Sequence, residues 1–315
     1  MGAPTISSRR EAMTTFCESS CAPSVSVVIP HYNDLDSLRI CYARLLGQTW
    51  PRDNFEIIVA DNNSACGIEA VRAAVPEAKV VPAPVQGAGP ARNCGAAEAS
   101  GRVLAFLDSD CLPEPDWISE GVAALEQYDF IGGKVVTFAR DAEKPNPIEA
   151  YETVFNFNFR YYIQNVGFTG TGNMFVPRHI YDRVGGFRAG VSEDVDWSFR
   201  ARALGYSIGY AERAAVGHPA RRSWKDLEQR WARMEAEHFL LCQERRWGRL
   251  RFVMKAIAMP LSVVPHVGKV LRTSRLPNQR ARLDAIVVLT RLRFWRARRM
   301  LSLVFAPGGV RKPDV

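Results

Sequence analysis

From Val25 onward, runs of apolar residues alternate with stretches of helical spacing. Val25-Ser26-Val27-Val28-Ile29 is a near-continuous β-branched run, the pattern of a strand buried on both faces. Pro30-His31-Tyr32-Asn33 follows as a loop. Leu35, Leu38, Tyr42 and Leu45 then recur at helical spacing, with Asn33 or Asp34 as N-cap. A second strand is predicted over Phe55–Ala60, ending in the polar loop Asp61-Asn62-Asn63-Ser64, and a short third over Lys79–Val81. Pro82 to Pro90 reads as a Pro/Gly-rich loop before a helix over Ala91–Ala99. Val103–Leu107 is another buried strand, closed by Asp108-Ser109-Asp110, with a helix near Asp116–Gln127.

This alternation predicts an α/β fold, Rossmann-like, with a mainly parallel sheet and helices on both faces. Ligands of such sheets sit beyond the carboxyl ends of the strands. The polar clusters at Asn33/Asp34, Asp61 and Asp108/Asp110 all fall there, so three separated segments would reach one crevice.

After Phe130 the pattern loosens. A strand is expected over Ile131–Phe138, a helix with one buried face over Tyr151–Tyr162, and a strand near Met174–Val176. Ser192-Glu193-Asp194 opens a helix closed by Gly205, and Tyr206–Tyr210 is a short strand. A long helix is expected over Ser223–Arg245. Phe252–Val267 and Leu283–Phe305 are apolar but carry basic residues, five of them Arg between Arg291 and Arg299. Both suit the membrane interface, basic side to headgroups and apolar side to acyl chains; the plainer reading is two docking helices with solvated Arg faces.

Charge sharpens this division. The 315 residues carry a net charge of +8. From Pro219 to Val315 there are 22 Lys and Arg against 7 Asp and Glu, leaving 19 basic and 26 acidic residues before them. An acidic front and a basic tail suggest two jobs, and the tail could meet nucleic acid, anionic lipid or an anionic substrate. The organisation expected is a flexible N-terminal arm (1–23), an α/β domain (24–220) and a helical, basic, membrane-associating C-terminal region (221–315). A hydrophobic share of 47% excludes global disorder.

Seven Cys form no paired framework, and Met1 to Ser24 lacks the apolar core of a signal peptide. Both favour a reducing cytoplasm. Cys17 and Cys21 could bind metal, but no second pair or nearby His completes a site.

The candidate chemistry lies at the strand ends. Asp108 and Asp110, two residues apart after a buried strand, suit a divalent cation held by carboxylate oxygens, or a turn capped by Asp side chains. Asp61 could accept hydrogen bonds from a nucleobase or ribose, or begin an Asx turn. Glu193 and Asp194 at a helix start either complement the helix dipole or place a general base over the crevice. His218, alone, has the plain reading of a structural histidine. No G-x-G-x-x-G or P-loop pattern is present, which argues against dinucleotide oxidoreductases and NTPases.

Taken together, these segments resemble the inverting glycosyltransferases of family 2, with their GT-A fold. The residues that carry the resemblance run in the family's order: Val25–Asn33, Glu56–Ser64, Gly89-Pro90-Ala91-Arg92-Asn93-Cys94-Gly95, Phe106–Asp110, Gly172-Asn173-Met174, Gly185-Gly186-Phe187, and Glu193–Ser198 with Arg200 and Gly205-Tyr206. The resemblance covers about residues 24 to 220. It implies that Asp61 reads the base of a nucleoside diphosphate sugar, with Pro30, Tyr32, Asn33 and Asp34 lining the nucleotide pocket and Arg92 and Asn93 lying along it. Asp108 would contact ribose or metal, beside Ser109. Asp110 would bind Mn2+ or Mg2+, with His218 as a further ligand. Asp194 would be the base that takes the acceptor's proton, and Glu193 would contact the acceptor or position its neighbour.

Two positions depart from the family pattern. His31 stands where Thr or another small residue is common, and Cys111 where a further Asp often follows. The Q-x-x-R-W signature of processive synthases is absent, which favours single additions. The resemblance thus implies a metal-dependent, inverting transferase. It would move a sugar from a nucleoside diphosphate sugar, UDP-sugars first among them, to a glycan, lipid-linked or cell-envelope acceptor. Its expected place is the cytoplasmic face of the cell membrane, its tail on anionic lipid. Asn173 and Tyr151–Tyr162 are acceptor-side candidates by position alone. A nucleotidyltransferase would carry a Gly-rich, Lys/Arg-containing loop after the first strand, and a purely basic binding protein leaves the front half unexplained. No zinc finger, RNP signature or basic zipper points to nucleic acid.

Overall fold

A computed structural model of the chain describes residues 24–244 and 246–305. The N-terminal arm, with Cys17 and Cys21, lies outside the described residues.

The chain separates into two compact units. Among the described residues, one comprises 24–135 with Asn158–Ala189 and Glu193–His218; the other comprises Val136–Phe157, Gly190–Ser192 and 219–305.

The β-branched runs form strands where the pattern requires them: β1 (Val25–His31), β2 (Phe55–Asp61), β3 (Lys79–Pro82) and β4 (Val103–Leu107). Between them lie α1 (Leu35–Leu46), α2 (Ile68–Ala74) and α3 (Ala88–Ala97). Asp34 caps α1, accepting from the Ser37 N–H at 3.1 Å. After β4 come β5 (Leu112–Pro113), α4 (Trp117–Ala124), β6 (Phe130–Phe138), α5 (Pro147–Phe155), β7 (Asn173–Pro177), α6 (Arg178–Val184), α7 (Glu193–Ala203) and β8 (Ile208–Pro219).

The eight strands form one mixed sheet in the order β3-β2-β1-β4-β7-β6-β8-β5. Pairing is parallel from β3 to β4 and antiparallel between β4 and β7, β7 and β6, and β8 and β5. Alternate residues of one strand feed different cores, as the two-residue period demands. Val25, Val27 and Ile29 pack with Leu38, Val71 and Trp117 on one face. Val28, Leu104 and Phe106 pack with Ile180, Phe187 and Trp197 on the other.

Two elements differ from the pattern's expectation. β8 runs for 12 residues, far past Tyr210; the exposed pair Glu212-Arg213 breaks the alternation that would have revealed its second half. The helix expected over Tyr151–Tyr162 ends at Phe155. It begins with a full capping box, Asn146 with Glu149. Past it, Asn158 caps a separate turn, Phe159–Tyr161, that runs into a π-helical stretch over Tyr162–Val166. Asn side chains bond nearby backbone in place of continuing a helix.

In the second unit, α8 (Trp224–Gln243) is capped by Ser223, and α9 (Gly248–Leu261) and α10 (Val263–Arg272) follow. α11 (Gln279–Phe305) is the spine of this unit: Ala285, Leu289, Leu292 and Met300 are buried along it. Arg296 is also buried there, paired with buried Glu235 at 2.5 Å and lying 3.5 Å over the Trp231 ring. Among the described residues no single helix is long and apolar enough to cross a membrane; α9 with α10, bent by 49°, passes that length and composition test only as a pair.

Candidate active site

The parallel register sets His31 beside Asp61 at the ends of β1 and β2. Both are buried. His31 Nδ1 lies 3.0 Å from Asp61 Oδ1, and the Asp34 N–H donates to His31 Nε2 at 3.3 Å. With Nε2 accepting, Nδ1 carries the proton and donates to the carboxylate. The Ser64 N–H donates to Asp61 Oδ2 at 3.2 Å. Asn33, at φ 55°, accepts from the Ala65 N–H at 2.7 Å, while Asn62 Nδ2 donates to the Ala83 and Val85 carbonyls, each at 2.7 Å. Every member of this loop cluster is cross-braced. Tyr32 stands out from it, 54% exposed.

The next segment is positioned by β4. Its antiparallel register with β7 pairs Leu107 with Asn173, which brings Gly172 against Asp108. A Cβ on Gly172 would lie 2.4 Å from Asp108 Oδ2, so any larger residue would have to displace the Asp108 carboxylate. Arg92, buried on α3, donates to Asp108 Oδ1 at 2.5 Å and to Glu193 Oε1 at 2.9 Å. One guanidinium fork therefore ties the acidic loop to the start of α7. The two carboxylates push the Arg92 pKa upward against the effect of burial.

β5 pairs with β8, Leu112 opposite Gly217. This sets His218 Nε2 3.2 Å from Asp110 Oδ2, with His218 buried. An oxygen and an imidazole nitrogen so close make a donor pair that suits Mn2+ chemistry. Asp108 does not join them: no group of three His, Cys, Asp or Glu able to hold an ion occurs among the described residues. Asp108, expected from the resemblance to contact ribose or metal, is bonded to Arg92.

Asp194 is the second residue of α7 and is partly buried. Burial, reinforced by the Glu193 charge, pushes its pKa from 3.8 up to about 7. A carboxylate poised near neutrality suits a general base.

Other expected site residues act at one remove. Asn93 donates to the Phe187 carbonyl and accepts from the Phe187 N–H and the Tyr181 hydroxyl, all at 2.8 Å. Its amide holds the Gly185-Gly186-Phe187 turn. Arg200 donates to the Val184 and Gly186 carbonyls and to Asp196, which also takes Arg188 at 2.8 Å. Asn173 is fully buried, accepting from Trp117 Nε1 at 2.9 Å and donating to the Lys134 and Ala214 carbonyls. It knits the sheet together and is closed to an acceptor. Tyr151 is buried in the core of the second unit. In the sequence Gly172 stands out only as part of its motif and His31 only as a departure from a small residue, and no signal there marks Arg188.

The family model for glycosyl transferase family 2 matches residues 26–195, more than half of the chain. The chain belongs to glycosyl transferase family 2. Glycosyltransferase AglE of Haloferax volcanii is 32% identical over 215 residues, which is 64% of this chain and 69% of that protein. The probable glycosyltransferase YdaM of Bacillus subtilis is 26% identical over 231 residues, 67% of this chain; the chain spans only 55% of that relative's length. The mannosyltransferase PcManGT from Pyrobaculum calidifontis, solved with GDP-Man and Mn2+, has a similar fold, with a TM-score of 0.57 at 17% identity over 94% of this chain and 92% of that one. The family 2 match makes this chain a glycosyltransferase with a GT-A-like sheet.

Proposed function

We propose that this family 2 glycosyltransferase moves a sugar from a nucleoside diphosphate sugar, UDP-sugars foremost, to an acceptor hydroxyl with inversion. The observation that carries the reading is the Arg92 bridge from Asp108 to Glu193, next in sequence to Asp194. It fixes the acidic loop relative to the proposed base.

Asp110 and His218 are the residues to hold Mn2+ or Mg2+, which when bound offsets the negative charge developing on the leaving diphosphate. Asp61, locked by His31 and Ser64, presents its carboxylate edge to a nucleobase. Tyr32, Asn33 and Asp34 border that pocket, and Ser109 lies between the two loop carboxylates. Asp194 takes the acceptor's proton as its oxygen attacks the anomeric carbon, and one displacement inverts that centre. Glu193, held by Arg92, positions Asp194 and keeps its pKa up. The acceptor is a glycan, lipid-linked or cell-envelope hydroxyl, met at the inner face of the membrane, where the basic second unit docks.

Titration calorimetry and transfer assays on Asp194→Asn test the base. Donor binding within a few-fold of wild type, with transfer down about 10³-fold, is expected. A transfer rate near wild type contradicts the assignment.

A further inference from the structure

The sequence treats Phe252–Val267 and Leu283–Phe305 as equivalent candidates for a membrane surface; in the folded second unit they are not. α11 buries its inner face, with Arg296 neutralised by Glu235, and on its exposed side Leu283, Val287 and Phe294 are interrupted by exposed Arg291 and Arg298. On α9 the exposed apolar positions follow one another without such a break. Phe252, Ala256 and Met259 turn inward, while Leu250, Met254, Ile257 and Leu261 are between 55% and 73% exposed. Trp247, which caps α9 in the left-handed region, is 62% exposed, and Val264 on α10 is 78% exposed.

From Trp247 to Leu261 these residues advance by three or four positions each and form one stripe along α9, and Val264 follows past the 49° bend at the start of α10. Exposed apolar area of this extent, unlike single scattered residues, marks an interaction surface.

The charges around the stripe select its occupant. Between Arg245 and Leu283 there are nine Lys and Arg and no Asp or Glu. Arg246, Arg249 and Arg251 flank the start of α9, and Lys269 and Arg272 the end of α10; all five are exposed. Two copies of such a face would meet like charge with like charge. A nucleic acid would answer the charges but leave the aliphatic stripe in water. An anionic lipid surface satisfies both, headgroups taking the basic rim and the acyl boundary taking the stripe. An exposed Trp at the edge fits the interface, where its ring is preferred.

We infer that the α9–α10 face, Trp247 through Val264, is the part of this protein that inserts into an anionic membrane interface, with α11 serving as its support. The inference rests on the membrane reading above, and vesicle binding is measured apart from nucleotide release, so either can fail alone.

The test is co-sedimentation of the full chain with vesicles of phosphatidylcholine and phosphatidylglycerol at seven to three, and of phosphatidylcholine alone. Wild type should partition at least ~10-fold more strongly onto the anionic vesicles. Met254→Glu with Ile257→Glu and Leu261→Glu should weaken that binding at least ~10-fold, while thermal stability and nucleotide release stay unchanged. Leu283→Glu with Val287→Glu, on the exposed side of α11, should leave binding intact. Unchanged binding by the α9 variant, loss only in the α11 variant, no binding by wild type, or wild-type dimers that the α9 variant dissociates would each overturn the inference.

Discussion

Gly172 approaches Asp108 so closely that a Cβ would sit 2.4 Å from its Oδ2. The absent side chain is what lets the acidic loop lie against β7 with its other oxygen on Arg92. Gly172→Ala should therefore displace Asp108 and lower transfer by about 10²-fold, since misplacement by about 1 Å costs that much. Tm should fall by only a few degrees, because the clash is with a partly exposed loop side chain. Activity within two-fold of wild type would mean Asp108 needs no fixed position.

Arg92 supports two carboxylates from one buried guanidinium. Arg92→Ala leaves both without their partner; because the Asp108 and Glu193 side chains are 36% and 21% exposed, water screens them and the loss should be about 1–3 kcal/mol. Arg92→Lys keeps the charge but lacks the fork, so it should recover stability more than transfer. Denaturant melts beside transfer assays on both variants check this; equal recovery of the two would show that charge alone matters.

Asp194 gives a pH signature with a definite sign. Its folded pKa, about 7, lies above the ordinary 3.8. The folded state thus holds a proton that the unfolded chain releases. The stability this contributes is complete below pH ~4 and lost as pH rises through ~7. Asp194→Asn should accordingly melt at least about 2 °C above wild type at pH 8, while the difference closes at low pH. In wild type the transfer rate should rise with pH to a plateau above ~7. Melting scans and a pH–rate profile decide it; a variant less stable than wild type at pH 8 runs against the buried-carboxylate account.

Asn173 shows where sequence reading reaches its end. Its place in the Gly-Asn-Met segment suggests the acceptor side, yet its amide is fully bonded to Trp117, Lys134 and Ala214 inside the sheet. Asn173→Ala strands a buried indole N–H and two carbonyls, a loss of about 2–4 kcal/mol readable by urea denaturation. Loss of transfer without loss of stability would return Asn173 to the acceptor side.

The parallel half of the sheet was legible because β-branched runs and helical spacing carry it locally: Val25–Ile29, Phe55–Ala60 and Val103–Leu107 are strands as the pattern predicts. The acidic residues were legible by type and position at strand ends. What joins them was not. Arg92 reaches Glu193 across 101 positions, and His218 meets Asp110 through an antiparallel pairing that no local pattern announces. The tail likewise reads as two similar amphipathic segments, and only packing shows that α11 serves as the unit's spine while α9 exposes an apolar stripe unbroken by charge.

The most direct test of the account is nucleotide release from a panel of UDP-, GDP- and dTDP-sugars, with Mn2+ or with EDTA, by wild type and Asp110→Ala. Release from one donor, present with Mn2+, abolished by EDTA and lost in the variant, is the predicted result. Release that persists in EDTA and in Asp110→Ala would contradict a metal held by Asp110 and His218, and no nucleotide binding to the panel by calorimetry would contradict the donor site itself.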